Sequence, residues 1–135
     1  MLDLAVNAGS EQVSIAAISR RQNISANYLE QVFALLRKAG LVKSVKGAQG
    51  GYVLSERPAC ISVGMVLRAL EGELSLVGGS KDDPGAANHM ESCLQQRVWS
   101  QLDESLNKTA DSITLADLVA QYKNLNSNTY IAAYI

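Results

Sequence analysis

Asn27, Glu30, Gln31, Arg37 and Lys38 are spaced so that a helix would carry them on one side. On a wheel of 100° per residue with Leu29 at the origin, they gather with Ala34 around about 140°, while Val32, Phe33 and Leu36 stay within about 60° of Leu29. The second set is a buried stripe and the first is an outward face. Amides and carboxylates can meet base edges, and cations hold phosphates. The chemistry on offer is therefore that of a helix laid in a nucleic-acid groove. A polar outer face is also what any amphipathic surface helix has, so the flanking sequence must decide.

The flanks favour a reading helix. Ser14 can cap a helix over 15–22 with Ile15 and Ile18 inward. Asn23 tolerates the left-handed conformation of a tight turn, Ile24 plugs the corner, and Ser25 caps the next helix. Helix, three-residue turn, helix is helix-turn-helix spacing. Gly40 ends the second helix, and 41–46 then reads as a strand, 47–51 as a glycine-rich tip and 52–54 as a return strand. Lys43 and Lys46 stand on the strand that leads to Gly47, where three glycines permit close approach of backbone to a ligand. The tip lacks the order of a P-loop and opens no helix, so a nucleotide cradle is disfavoured.

Residues 1–8 read as the end of a helix stopped by Gly9, with Leu2, Leu4, Ala5 and Ala8 available for burial. So short a helix with no cap is marginal alone, which leads to the expectation that residues precede Met1 in the full protein. A short strand at 12–14 is an alternative use of the residues around Val13. After Pro58, Ser62 caps a helix to residue 70 with Val63, Val66, Leu67 and Leu70 inward, and Gly72 ends it. Residues 76–88, rich in Gly, Pro and polar residues, read as a loop. A long helical pattern over 90–108 carries Leu94, Val98, Trp99, Leu102 and Leu106 on one broad side, and such an arm wants a second copy of itself as partner. Thr114 then caps a short helix over 115–122, and an apolar tail to Ile135 follows. The expected architecture is mainly α with a small β-hairpin wing: a winged helix-turn-helix domain (1–76), a loop (77–89) and a dimerisation helix with a C-terminal helix and tail (90–135).

Composition is consistent with that reading. The 135 residues are 47% hydrophobic and 19% charged with a net charge of −1, which alone would argue against a polyanionic partner. The distribution reverses the argument: residues 1–57 hold seven Lys/Arg against four Asp/Glu, and residues 58–135 hold five against nine. No apolar run is long enough to span a membrane, and MLDLAVNA, with Asp3 and no basic start, is no signal peptide. Two cysteines, Cys60 and Cys93, fit a reducing cytoplasm better than a disulfide framework. Their bland reading is as small buried hydrophobes. His89 and Cys93, four apart, could share a helix face but make a poor metal site alone. No serine or cysteine stands in a nucleophile motif, so nothing supports an enzyme.

The order SANYLEQVFALLRKAGLVKSVKGAQGGYVL, then ISVGMVLRALEG, SCLQQRVWSQL and SITLADLV, resembles the bacterial Rrf-type regulators over most of residues 1–120. This family includes an iron–sulfur cluster regulator and a cysteine metabolism repressor. The resemblance implies a dimeric winged helix-turn-helix transcription factor that binds palindromic DNA. Residue by residue, it places Ser25, Asn27, Tyr28, Glu30 and Gln31 at the reading end of the recognition helix and Lys46 on the wing at the minor groove. Arg37, Lys38, Lys43 and Gly47 complete the candidate DNA contacts. The wheel puts Tyr28 on the flank near Leu35, so half-packed structure is its alternative role. Family members also usually start a helical turn or two earlier, with residues that help bind DNA.

The resemblance departs at the cluster. Cluster-binding relatives supply three cysteines ahead of and at the start of the arm and a fourth ligand three residues on; here only Cys93 matches, followed by Gln96. Clusters want four protein ligands, mostly thiolates, so no iron–sulfur cluster or other cofactor is expected. The tail TYIAAYI resembles that of the cysteine metabolism repressor, whose partner is cysteine synthase, an enzyme that accepts C-terminal isoleucine peptides. Tyr134 and Ile135 are thus candidate partner-binding residues, with packing on the dimer as the alternative. The expected function is a homodimeric repressor of sulfur- or redox-related genes. The competing reading is a winged-helix module for protein contacts, for example with cysteine synthase.

Overall fold

The computed structural model describes residues 1–7, 11–47, 50–76 and 89–133, with side chains to residue 127. In chain order these form α1 (Leu2–Asn7), α2 (Ile15–Gln22), α3 (Ala26–Lys38), β1 (Val42–Val45), β2 (Gly51–Leu54), a 3₁₀ turn (Pro58–Cys60), α4 (Val63–Glu71), α5 (His89–Leu94), a π-helical turn (Gln95–Trp99), α6 (Ser100–Ser112) and α7 (Leu115–Ala133). The helix starts follow their caps. Ser14 Oγ accepts from the N–H of Ala17, Ser25 Oγ from Tyr28 and Ser62 Oγ from Met65, each at 3.1 Å. Thr114 and Asp117 cap each other: Thr114 N–H donates to Asp117 Oδ2 at 2.9 Å and Asp117 N–H to Thr114 Oγ1 at 3.1 Å. Asn23 takes the left-handed conformation (φ 53°) between α2 and α3, and Gly40 (φ 79°) closes α3.

One core joins α1, α2, α3, β1 and the start of α7. Leu4 of α1, Ile18 of α2, Leu29, Phe33 and Leu36 of α3, Leu41, Val42 of β1, Ile61 and Leu115 of α7 are all buried together. Phe33, 2% exposed, lies with its ring centroid 4.7 Å from that of Tyr52, so α3 is anchored to the hairpin through an aromatic pair. Truncating such a buried Phe to Ala typically costs about 3–5 kcal/mol. Ile24 differs from expectation: it is half-exposed, and the turn is fastened by its backbone, whose N–H donates to Ser19 O (3.3 Å) while its carbonyl accepts from Ser19 Oγ (2.6 Å).

The hairpin is antiparallel, with Val42 opposite Leu54 and Val45 opposite Gly51. The residue expected to form a short strand, Val13, pairs with Tyr52 through two backbone hydrogen bonds of 3.0 and 2.9 Å, so the wing root is tied to the start of α2. Two helices run longer than the sequence suggests. Residues 89–112 form an arm of helical backbone broken in register by the π turn, where Ser100 N–H reaches Gln95 O. Helix α7 continues to Ala133 in place of the short helix expected, because the Asn- and Ser-rich stretch after Tyr122 contains no Gly or Pro to stop it. The expected loop falls mostly on 77–88, outside the described residues. Among the described residues no helix is long and apolar enough to cross a membrane.

Candidate nucleic-acid interface

Helix α3 presents its outer face to solvent along its whole length. Leu29, Phe33 and Leu36 are buried, while Ser25, Asn27, Glu30, Gln31, Ala34, Arg37 and Lys38 are exposed. The 3.6-residue period separates the two sets, as the wheel requires. Tyr28 is 60% exposed, so it stands with the outward residues and not half-packed against the body. At the start of α3, Ser25 spends an oxygen lone pair on the cap yet keeps its hydroxyl hydrogen for another acceptor. The same end carries the positive pole of the helix, which favours an anion such as a phosphate.

The wing stands beside this helix, since α3 packs on β1. Lys43, Lys46 and Gly47 are exposed. Gly50 N–H donates to Gly47 O at 3.1 Å; residues 48 and 49 lie outside the described residues. Gly51 has a packing reason: a Cβ there would lie 2.7 Å from the carbonyl oxygen of Val13. An open groove of about 900 Å³ lies between the wing and α2, with Glu11, Gln12, Ser14, Arg20 and Gly50 among its lining. Arg20 was visible in the sequence only as part of the basic bias; the structure sets it beside the wing. Its neighbour Arg21 faces α1 and pairs with Asp3 at 2.7 Å.

On the arm, Leu94, Val98 and Leu102 are 49%, 36% and 44% exposed, and Trp99 and Leu106 are half-buried. This is a large apolar stripe for a lone chain to leave in water. Both cysteines are exposed, which corrects the reading of them as buried hydrophobes. Ile61 takes the interior place next to Cys60, and Cys93 sits on the outward side of α5. Among the described residues no three His, Cys, Asp or Glu side chains come together as a metal site. Tyr134 and Ile135 lie outside the described residues.

Comparison with known proteins converges on this geometry. The family model described as "Rrf2: Iron-dependent Transcriptional regulator" matches residues 1–121. The chain belongs to the Rrf2 family. It is 37% identical over 131 residues to the HTH-type transcriptional regulator CymR of Bacillus subtilis, spanning 97% of this chain and 88% of that protein. The solved structure of CymR (YrzC), the global cysteine regulator of B. subtilis, superposes with a TM-score of 0.73 at 36% identity, covering 89% of this chain and 87% of that one. The T. potens IscR structure superposes at 0.69 with 42% identity, covering 90% and 78%. As an Rrf2 protein the chain is a DNA-binding transcriptional regulator with a winged helix, not an enzyme.

The iron of the family description calls for ligands that this Rrf2 chain does not offer in the usual form. Cys93 and Cys60 are its only thiols, and an amide, Gln96, follows Cys93 at the distance where a fourth ligand would stand. The donor set does not fit a cluster held by four side chains, mostly thiolates.

Proposed function

We propose that this protein is a homodimeric repressor that reads a palindromic operator and controls sulfur- or cysteine-related genes without an iron–sulfur cluster. The observation that carries the reading is the joint exposure, on one domain, of the α3 face from Asn27 to Lys38 and of Lys43 and Lys46 on the wing. Dimerisation through the arm gives the apolar stripe of Leu94, Val98, Trp99, Leu102 and Leu106 a cover and places two recognition helices about a two-fold axis. The cysteine connection rests on similarity to CymR, described as a global cysteine regulator. Independence from a cluster rests on the donor set: two cysteines per chain.

Selection from a random DNA pool at moderate salt tests the operator. Enrichment of an inverted repeat with half-sites about one helical turn apart supports the reading, and a pool with no repeat refutes it. Sedimentation of the chain and of Leu102→Asp tests the dimer: a wild-type dimer that the charge dissociates is expected. Protein purified without oxygen should be colourless, hold no iron and bind the selected operator in full. Transcription in vitro from a promoter carrying the operator should fall as the protein is added.

A further inference from the structure

The arm is joined to the body by a polar seam. Asp103, Asn107 and Asp111 recur every four residues on α6, which puts them on one side of that helix. Asp111 accepts both ends of the Arg68 guanidinium, Nη1 at 2.6 Å and Nη2 at 2.9 Å. Arg68 Nη2 also donates to Asn107 Oδ1 at 2.8 Å, and Asn107 Nδ2 donates to the carbonyls of Leu74 (2.9 Å) and Asp103 (2.8 Å). Asp103 completes the seam by accepting from Leu76 N–H at 2.7 Å and Ser75 Oγ at 2.8 Å. At the crossing, Gly64 is the buried residue of α4, and a Cβ there would overlap Asp111 Oδ1.

We propose that this seam, Arg68 with Asp103, Asn107 and Asp111, sets the spacing between the two recognition helices and hence the half-site spacing the protein accepts. Helix α4 packs on both α3 and α6, so it links recognition helix and arm and shares in setting the angle between them. Apolar contacts can slide, but a forked guanidinium on a carboxylate fixes direction. In a dimer that angle is doubled by the two-fold axis. A change in separation of about 3.4 Å is one base pair. The pair is partly exposed, Arg68 by 34% and Asp111 by 50%, so solvent screens it and its loss costs little folding stability while removing the directional constraint.

The proposal rests on the dimer reading, and its test separates the two. Arg68→Met, Arg68→Lys and Asp103→Asn are compared with wild type by competition binding to operators whose half-sites are moved closer or apart by one base pair, and to a duplex with a single half-site. Wild type should prefer one spacing by about tenfold or more. Arg68→Met should cut that preference to about threefold or move it by one base pair, with sedimentation and single half-site affinity unchanged. Arg68→Lys, which keeps the charge without the fork, should fall between, and Asp103→Asn, which leaves the α4 crossing intact, should show the same trend. Uniform weakening at every spacing, or no change in any variant, with the dimer intact, overturns the seam's role. A wild-type chain that sediments as a monomer with no spacing preference overturns the dimer reading, and this inference with it.

Discussion

Asp3 of α1 holds Arg21 of α2 by two hydrogen bonds, from Nη2 to Oδ1 at 2.7 Å and from Nε to Oδ2 at 3.0 Å, while Gln22 Nε2 donates to the same Oδ2 at 2.8 Å. One cation of the basic N-terminal half is thereby committed to packing α1 on the helix-turn-helix unit. Arg20, next to it, lines the groove by the wing together with Arg21.

The Arg21 guanidinium holds the Asp3 carboxyl below the usual aspartate range. A depressed carboxyl stabilises the fold above its unfolded value, and the contribution is lost as pH falls through the folded value. The Asp3 side chain is 6% exposed but that of Arg21 40%, so solvent screens the pair and Asp3→Asn should cost about 1 kcal/mol at neutral pH. Thermal melts followed from pH 7 downward check it. Wild type and variant should differ at neutrality and converge progressively below about pH 4. A constant difference down to acid pH would show that the charge is not what Asp3 contributes.

Lys46 stands exposed where β1 runs into the glycine tip, with no shape of its own to match a base edge. As a phosphate contact it releases counterions on binding. Lys46→Ala should weaken selected and unrelated DNA alike, by roughly fivefold near physiological salt, and reduce the salt slope of log K by about 1. A loss confined to one base step would instead mean that the wing reads groove shape.

Glu30 is different, because a carboxylate gains nothing from phosphate and can only accept. Placed in a major groove it suits the amino group of cytosine. Glu30→Gln should therefore relax or alter preference at one base pair per half-site, a change of about 1–3 kcal/mol in discrimination, with the salt slope unchanged. Repeating the DNA selection with the variant reads this directly. An identical enriched sequence would remove Glu30 from the reading set.

Much of this fold was legible because its signals are local. Ser14, Ser25, Ser62 and Thr114 each announce a helix start through a hydroxyl at the right offset, and Leu29, Phe33 and Leu36 announce a buried stripe by their period. What escaped is nonlocal. Val13 looked like a strand residue, but its partner Tyr52 lies 39 residues on, and nothing local names it. Asp103, Asn107 and Asp111 look like ordinary solvated residues until Arg68 meets the last two and the backbone at Leu76 meets the first; the available signal was their four-residue spacing together with Gly64, a costly residue inside a helix. Helix α7 outruns the expected end at residue 122 because no Gly or Pro stands in the tail up to Ala133 to stop it. At the interface, exposure of Tyr28 was ambiguous on the wheel, since its azimuth borders both faces.

Gly51 gives a sharp test of how the wing is aimed. A Cβ at this position would meet the carbonyl oxygen and carbon of Val13 at 2.7 and 2.8 Å, and both are backbone atoms that cannot swing away like a side chain. In Gly51→Ala the Val13–Tyr52 pairing must therefore open, and the Tyr52 ring shifts against Phe33. Overpacking of this kind costs about 1–3 kcal/mol, which chemical denaturation would measure. Gly47→Ala is the control: nothing lies within 4 Å of its Cβ, so its stability should match wild type. Because Val13 immediately precedes the Ser14 cap of α2, opening the pair also frees the wing from the helix-turn-helix unit. Operator affinity of folded Gly51→Ala should then fall further than that of Lys46→Ala, since it displaces the whole wing and not one charge. Equal affinities for wild type and Gly51→Ala would mean that the wing's position is set by the β1 side of the hairpin alone.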